Sequence, residues 1–225
     1  ISITNQSLVA FDGDITATLD ILIKSDEIDF TSDLDAVSSP NRTITLIPHA
    51  ATTGIKVGLP ASGAANVLDL TDSDINALDD VFTKIIIGRS ADGTGAITLG
   101  SVDILDTVEF YGGSFAVIEP ATAQGTVLID VVNDITFAAN LTVTQSVTML
   151  AENGFINETG GRLTATDVTA TAAEDITLLT SINTIAAVVT GTGDITIDEA
   201  NGLIVNRGGL VTTGGSDDSV CVTVA

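Results

Sequence analysis

Catalysis by side chains needs groups that move protons or attack carbon, and this chain of 225 residues has few of them. His49 is the only histidine and Cys221 the only cysteine. Serine–histidine–aspartate and cysteine–histidine schemes both need His49. Its neighbours Ile47-Pro48-His49-Ala50 read as a turn after a strand, and Cys221 is far away in sequence. Zinc sites draw on several His or Cys, so none is expected. Carboxylates are plentiful, with 30 Asp and Glu against 7 Lys and Arg. A glycosidase needs a placed pair of them. Asp79-Asp80 and Asp217-Asp218 are adjacent pairs, but neighbours on a strand point to opposite faces. A polysaccharide-active enzyme would show a cleft lined by three or more carboxylates with an Arg nearby. The bases are Lys24, Lys56, Lys84, Arg42, Arg89, Arg162 and Arg207, and no such constellation emerges from the sequence. The expectation is a protein that is not an enzyme, with no catalytic, cofactor-binding or metal-ligating residue assigned.

Other site chemistry is equally sparse. The glycine-rich calcium nonapeptide Gly-Gly-x-Gly-x-Asp and the EF-hand loop are both absent. Asp134, Asp175 and Asp194 recur at one place in the pattern and read as solvated turn residues, with loosely bound Ca2+ the most they would support. Runs such as Gly191-Thr192-Gly193 read as strand corners, since no helix follows to make a phosphate cradle. Asn5, Asn41, Asn140 and Asn157 each begin an Asn-x-Ser/Thr triplet. They are the candidate glycosylation positions, although chance supplies several such triplets in a Thr-rich chain.

The bulk numbers exclude some partners. A net charge of -23 opposes nucleic acid, whose phosphates need Lys and Arg, and opposes anionic membrane surfaces. No apolar run approaches the roughly 18 residues of a membrane span. One Tyr and no Trp cannot furnish the aromatic girdles of a membrane barrel. A single cysteine allows no intrachain disulfide. In the alternating run Val220-Cys221-Val222-Thr223-Val224 it reads as a small buried apolar residue, with an intermolecular disulfide as the other reading.

What positions these residues is a repeat. The tetrad x-Ile-Thr-apolar occurs at Ile15, Ile44, Ile97, Ile135, Ile176 and Ile195, preceded by Asp in four cases. From Ile97 onward the tetrads are separated by two, two and one steps of about 20 residues, a period that marks a solenoid of short strands. The skipped steps land near Val117 and on Ile156. Residues 133–152, 153–173, 174–192 and 193–214 read as four successive coils. A second marker recurs at Val147, Val168 and Val189, with equal steps of nearly the same length. Within each strand the period is two: in Asp194-Ile195-Thr196-Ile197-Asp198 the isoleucines face one way and the polar residues the other. Aromatics make up 4% of the chain against 44% hydrophobic residues, so the core must be Val, Ile, Leu and Ala. The expected fold is all-β, a right-handed parallel β-helix, as one solenoid over residues 1–225. About 11 coils would make a rod of roughly 50 Å. Ile135, Ile156, Ile176 and Ile195 should form one interior ladder.

The stretch at about 40–85 breaks the period. The gap from Ile44 to Ile97 is no multiple of the step, and Pro40, Pro48 and Pro60 cluster there. That points to an inserted loop or a change of coil shape. Ile75, Leu78 and Phe82 follow capping residues at i, i+3, i+7 spacing, which suggests one or two helical turns within a corner.

The run Leu68-Asp69-Leu70-Thr71-Asp72, and then Ile85-Ile86-Ile87-Gly88-Arg89-Ser90-Ala91-Asp92-Gly93-Thr94-Gly95-Ala96-Ile97-Thr98-Leu99, is similar to repeats in very large bacterial surface exoproteins. So is Glu174-Asp175-Ile176-Thr177-Leu178 through Asn201-Gly202-Leu203. These are the filamentous-haemagglutinin-like adhesins, and the resemblance covers about residues 68–214. It implies a right-handed parallel β-helix, secretion, and a role as stalk, adhesin or matrix fibre, and it identifies no ligand. The alternative reading is an adhesin stalk or glycan-binding module whose irregular 40–85 region contacts surface glycans. It extends to no secretion domain here. The chain starts mid-pattern at Ile1-Ser2-Ile3-Thr4, so a processed product or a piece of a longer parent chain is expected, extracellular or on the cell surface. The alternating end strands supply the expected contact for head-to-tail assembly with another copy: Ile1 and Ile3 at one end, Val220, Cys221, Val222 and Val224 at the other.

Overall fold

The computed structural model describes residues 1–30, 34–64, 66–215 and 217–225. They form a parallel β-solenoid of about ten turns, all-β except for one helical turn. Its first wall is a sheet of ten parallel strands, from Ser2–Thr4 at one end to Ile204–Thr212 at the other. Ten strands at about 4.8 Å spacing make a stack of roughly 45 Å, close to the sequence-based length. The second wall carries the Ile-Thr strands, among them Ala96–Leu99, Ile135–Phe137, Ile176–Ser181 and Ile195–Glu199. The third holds short strands such as Ala121–Ala123 and Leu141–Val143.

Alternation makes these walls. In Ile195–Glu199 burial runs buried, exposed, buried, exposed, buried, as period-two side chains on a one-sided sheet must. The inward residues merge into a single aliphatic core running the length of the stack. The expected ladder is there: Ile135 pairs with Ile156, Ile156 with Ile176, and Ile176 with Ile195. Each of the four is wholly buried. Two corrections concern position. Phe115, not Val117, fills the step between Ile97 and Ile135. Ile15 and Ile44 belong to other walls, in the strands Ile15–Thr16 and Thr43–Ile47, because the tetrad encodes an inward Ile with an outward Thr and not a particular wall.

The second marker fails at its last step. Val168 pairs with Ile185, while Val189 pairs with Ala172. The first-wall step from Val168 to Ile185 is therefore shorter than the steps on either side of it, from Val147 to Val168 and from Thr184 to Ile204. The short coil loses a corner. Its strand Ile176–Ser181 runs straight on, pairing with Ile156–Glu158 at its start and Leu163–Thr164 at its end.

The irregular stretch is a doubling back. After the first-wall strand Thr43–Ile47 the chain lays down Gly54–Val57 and then, one layer back, Val67–Leu70, and the two pair in parallel. A loop joins them, anchored where Asp69 accepts hydrogen bonds from Ser62 N at 2.6 Å and Ser62 Oγ at 2.7 Å. The helical turn that follows is Asp72–Asn76, closed by a capping box between Thr71 and Asp74. Ile75, Leu78 and Phe82 are all buried, but Leu78 has left the helix and bridges Val37 in parallel. One turn forms, and the chain returns to solenoid geometry.

Candidate functional sites at the open ends and along the walls

The two terminal coils are built differently. At the N-terminal end Ile1 is exposed, and its amino group donates to Asp20 O at 2.8 Å. Ile3 pairs with Ile23 and packs partly buried on the core. At the other end Val220, Val222 and Val224 pair with Ile195, Ile197 and Glu199. They therefore continue the inward parity and are 44%, 38% and 49% exposed on the last described layer. Cys221 lies between them on the outward parity, opposite Thr196, as a free exposed thiol. The buried-cysteine expectation is thus overturned: the residue alternates correctly but sits on the last layer and the outer face.

The last first-wall strand, Ile204–Thr212, does not present a straight edge. Its register jumps from Ile185↔Val205 to Ala187↔Leu210, which places three extra residues in the outer strand. Gly209 takes a φ of 71°, and a Cβ on Gly208 would come within 2.7 Å of the Ala186 side chain. The bulge thus folds over the outside of the wall and buries Ala186.

The recurrent aspartates are corner caps. Asp134 Oδ1 accepts from Phe155 N at 3.2 Å, Asp175 Oδ1 from Asp194 N at 2.8 Å, and Asp194 Oδ1 from Ser219 N at 2.6 Å. Each carboxylate reaches one coil forward to a main-chain N–H that the turn leaves unpaired. Asp20 and Asp26 do the same for Thr43 N and His49 N. Among the described residues no group of three or more His, Cys, Asp or Glu is placed to hold a metal ion. His49 is half-buried in a corner where its carbonyl accepts from Arg89, and Cys221 lies on the last coil. Of the triplet asparagines, Asn5, Asn41 and Asn140 are exposed and Asn157 is half-buried. Asn5 Nδ2 donates to Leu8 O at 2.7 Å, Asn41 holds a φ of 58°, and Asn140 Oδ1 accepts from Arg162 N at 2.9 Å.

Five carboxylates point where the sequence reading placed none. Asp69, Asp74, Asp106, Glu158 and Glu199 are buried. Parity was the available signal for the last two: Glu158 lies two positions after Ile156, and Glu199 two after Ile197, so both turn inward. Burial pushes the Glu158 carboxyl up to about 8, against the pull of the N–H groups of Leu179 and Leu163 and the Arg162 charge. Asp79 and Asp80 do converge with others. With Asp35, Asp103 and Asp106 they line an open pocket of about 190 Å³ beside Ile75 and Leu105. Burial, then the charge of Asp80, raises Asp106 to about 6.

A second groove, of about 180 Å³, opens beside the corner after Gly88 and is lined by Arg89, Asp92, Thr94, Tyr111, Asp130 and Glu152. Three carboxylates and an arginine thus meet there, from three different coils, which is the cleft the sequence reading asked of a polysaccharide-active enzyme. The Arg89 guanidinium is already paired with Asp92, at 2.6 Å.

No protein family, no curated protein and no solved structure matches this chain.

Proposed function

We propose that this protein is a non-enzymatic structural segment of an extracellular fibre or surface adhesin, joined to a second copy of itself by coil-on-coil stacking. The observation that carries this reading is the unbroken stack of parallel coils on one aliphatic core, a pattern that repeats layer by layer. Val220, Val222 and Val224, on the last described layer, repeat the inward parity of the layer beneath and would receive a further coil in the same way. Fully burying one such side chain is worth about 1.5–3 kcal/mol, and the strand beside them offers unpaired N–H and C=O groups that favour another strand. At the N-terminal end Ile1 and Ile3 stand on the first wall and would face Ile204–Thr212 of another copy, while the strand Leu8–Phe11, paired on one side only, is left for Val220–Val224. Joining one end to the other is a heterologous contact, which propagates into a filament instead of closing into a dimer. The extracellular setting rests on the resemblance to large bacterial exoproteins. A longer parent chain would place the same contact within one molecule, making this segment a stalk.

Electron microscopy and sedimentation of the purified chain test the reading. End-to-end filaments are expected from the native chain, and single short rods from Val222→Lys, which puts a charge on the stacking surface without touching the inner coils. Native protein that stays as single rods at every concentration refutes self-stacking.

A further inference from the structure

The corner between Gly88 and Gly95 leaves the solenoid outline and comes back to it. Gly88 ends its strand with a φ of 95°, and a Cβ there would lie 2.0 Å from the Tyr111 carbonyl oxygen. Only glycine lets these two backbones approach so closely. The chain then swings out and is pinned by Arg89. Its Nε and Nη2 donate to Asp92 Oδ1 and Oδ2 at 2.7 and 2.6 Å. Its Nη1 donates to the carbonyls of Pro48 and His49 at 3.3 and 3.2 Å. The corner is therefore a fixed wall.

Behind this wall lie residues from the next coils. Tyr111 and Asp130 are register partners on the outer face of the first sheet, and Glu152 follows one coil further on. The Tyr111 hydroxyl donates to Glu109 Oε2 at 2.9 Å, which fixes the half-buried ring. Glu109 is in turn held by Lys84 at 3.0 Å. Asp130 and Glu152 differ from the capping aspartates. Among the described residues neither accepts a hydrogen bond from the protein, although Asp130 is half-buried and raised by that burial and by the Glu152 charge. Two carboxylates without protein partners, Asp130 half-buried and Glu152 exposed, line an open groove together with the Tyr111 ring and the Arg89 rim.

We propose that this groove is a saccharide subsite that takes one ring of a neutral glycan. The sugar's apolar face lies against Tyr111, and its hydroxyls donate to Asp130 and Glu152, which as charged acceptors make the stronger class of hydrogen bond. An aromatic body with a few placed polar groups is the usual make-up of a small-molecule site. A volume of about 180 Å³ lies below the roughly 300–1,000 Å³ of sites that enclose a whole ligand. It suits one ring of a chain lying across the wall, with the rest in solvent. Because Asp92 already neutralises Arg89, the lining keeps two uncompensated negative charges, which selects against sulfated and uronic glycans. The proposal is independent of end-to-end stacking, since the groove lies on the side of the rod.

Tyr111 is the only tyrosine and Trp is absent, so the tyrosine emission of the whole protein reads this groove alone. The probes are cellotetraose, maltotetraose and N-acetylchitotetraose, with heparin as the anionic control. A saturable change is expected with at least one neutral tetrasaccharide and none with heparin. Asp130→Asn combined with Glu152→Gln keeps the shape of the lining and should weaken that binding tenfold or more. Saturation-transfer NMR on the native chain checks contact without any variant. No response to all three neutral glycans overturns the proposal. So does an equal response to heparin, or unchanged affinity in the double variant. Release of new reducing ends would overturn it in favour of a hydrolase.

Discussion

Glu158 and Glu199 enter the core from the coils on either side of the shortened coil, and each accepts a hydrogen bond from that coil's main chain. Glu158 takes the N–H of Leu179, and Glu199 takes the N–H of Ile182 together with the hydroxyl of Thr180 at 2.7 Å. The short coil cannot pair these groups with neighbouring strands, because its straightened corner carries them off register. Buried N–H groups without partners are costly, so the two glutamates complete what the shortening leaves open. Arg162 adds a third contact by donating to Thr180 O. Glu199→Ala strands Thr180, Ile182 and the Asn201 N–H, which Glu199 accepts at 3.0 Å. The loss should be about 1–3 kcal/mol or more, read as a lower urea midpoint at unchanged slope. Glu199→Gln, which keeps an acceptor, should lose less. An unmoved midpoint in the alanine variant would mean that the corner repacks without it.

The same junction sets a pH dependence. Burial raises Glu158 to about 8 from 4.5, so the folded chain holds a proton there that the unfolded chain has released. More protons bound in the folded state means that stability falls as pH rises. Its contribution is whole below about 4.5 and is lost as pH climbs through about 8. Burial also raises Glu27, to about 7, and Asp106, to about 6, and both act with the same sign. Thermal midpoints between pH 5 and 9 should therefore decline, and Glu158→Gln should flatten the upper part of that decline. A native profile rising toward pH 9 would contradict the assignment.

The wall ladder was legible because one rule, an inward Ile followed by an outward Thr, repeats wherever coil length holds steady. Ile135, Ile156, Ile176 and Ile195 obey it. Val189 was misplaced because a shorter coil shifts register without altering alternation, and the sequence marks that change only through Glu158 and Glu199 at inward positions. The doubling back after Gly54–Val57 was legible as an interruption but not as a shape. A loop that returns the chain by one layer leaves the same Pro and Gly cluster as one that simply bulges. The groove was not legible at all. Arg89, Tyr111, Asp130 and Glu152 come from four successive coils and meet only once the strands are in register.

Two glycines that each lie just before a strand should behave oppositely. A Cβ on Gly95 would stand 1.9 Å from Thr53 O, whereas one on Gly202 would meet nothing within 4 Å. Gly95→Ala forces backbone apart inside the stack and should cost about 1–3 kcal/mol or more. It should also disturb the corner that frames the saccharide groove. Gly202→Ala should be neutral or slightly stabilising, by reducing the freedom of the unfolded chain. Equal melting temperatures for the two variants would show that the coils yield at the Thr53 contact.

The bulge on the last first-wall strand bears on assembly. Edge strands that must not pair are commonly interrupted by a bulge, and here the extra residues beside Gly209 lift the chain off the edge. The strand Val220–Val224 carries no such interruption. Stacking should then run mainly through the second wall, with the first wall joining weakly. Deleting residues 206–208 would restore single register from Ile185↔Val205 to Ala187 and its partner, and should lengthen filaments or lower the concentration at which they form. The charge of -23 works against every such contact, so filament growth should also rise with salt as repulsion is screened over about 10 Å at 0.1 M. Light scattering against protein and salt concentration measures both effects. If the deletion shortens filaments instead, the bulge is part of the contact surface, and Ala186 with its cover becomes the place to look for the partner strand.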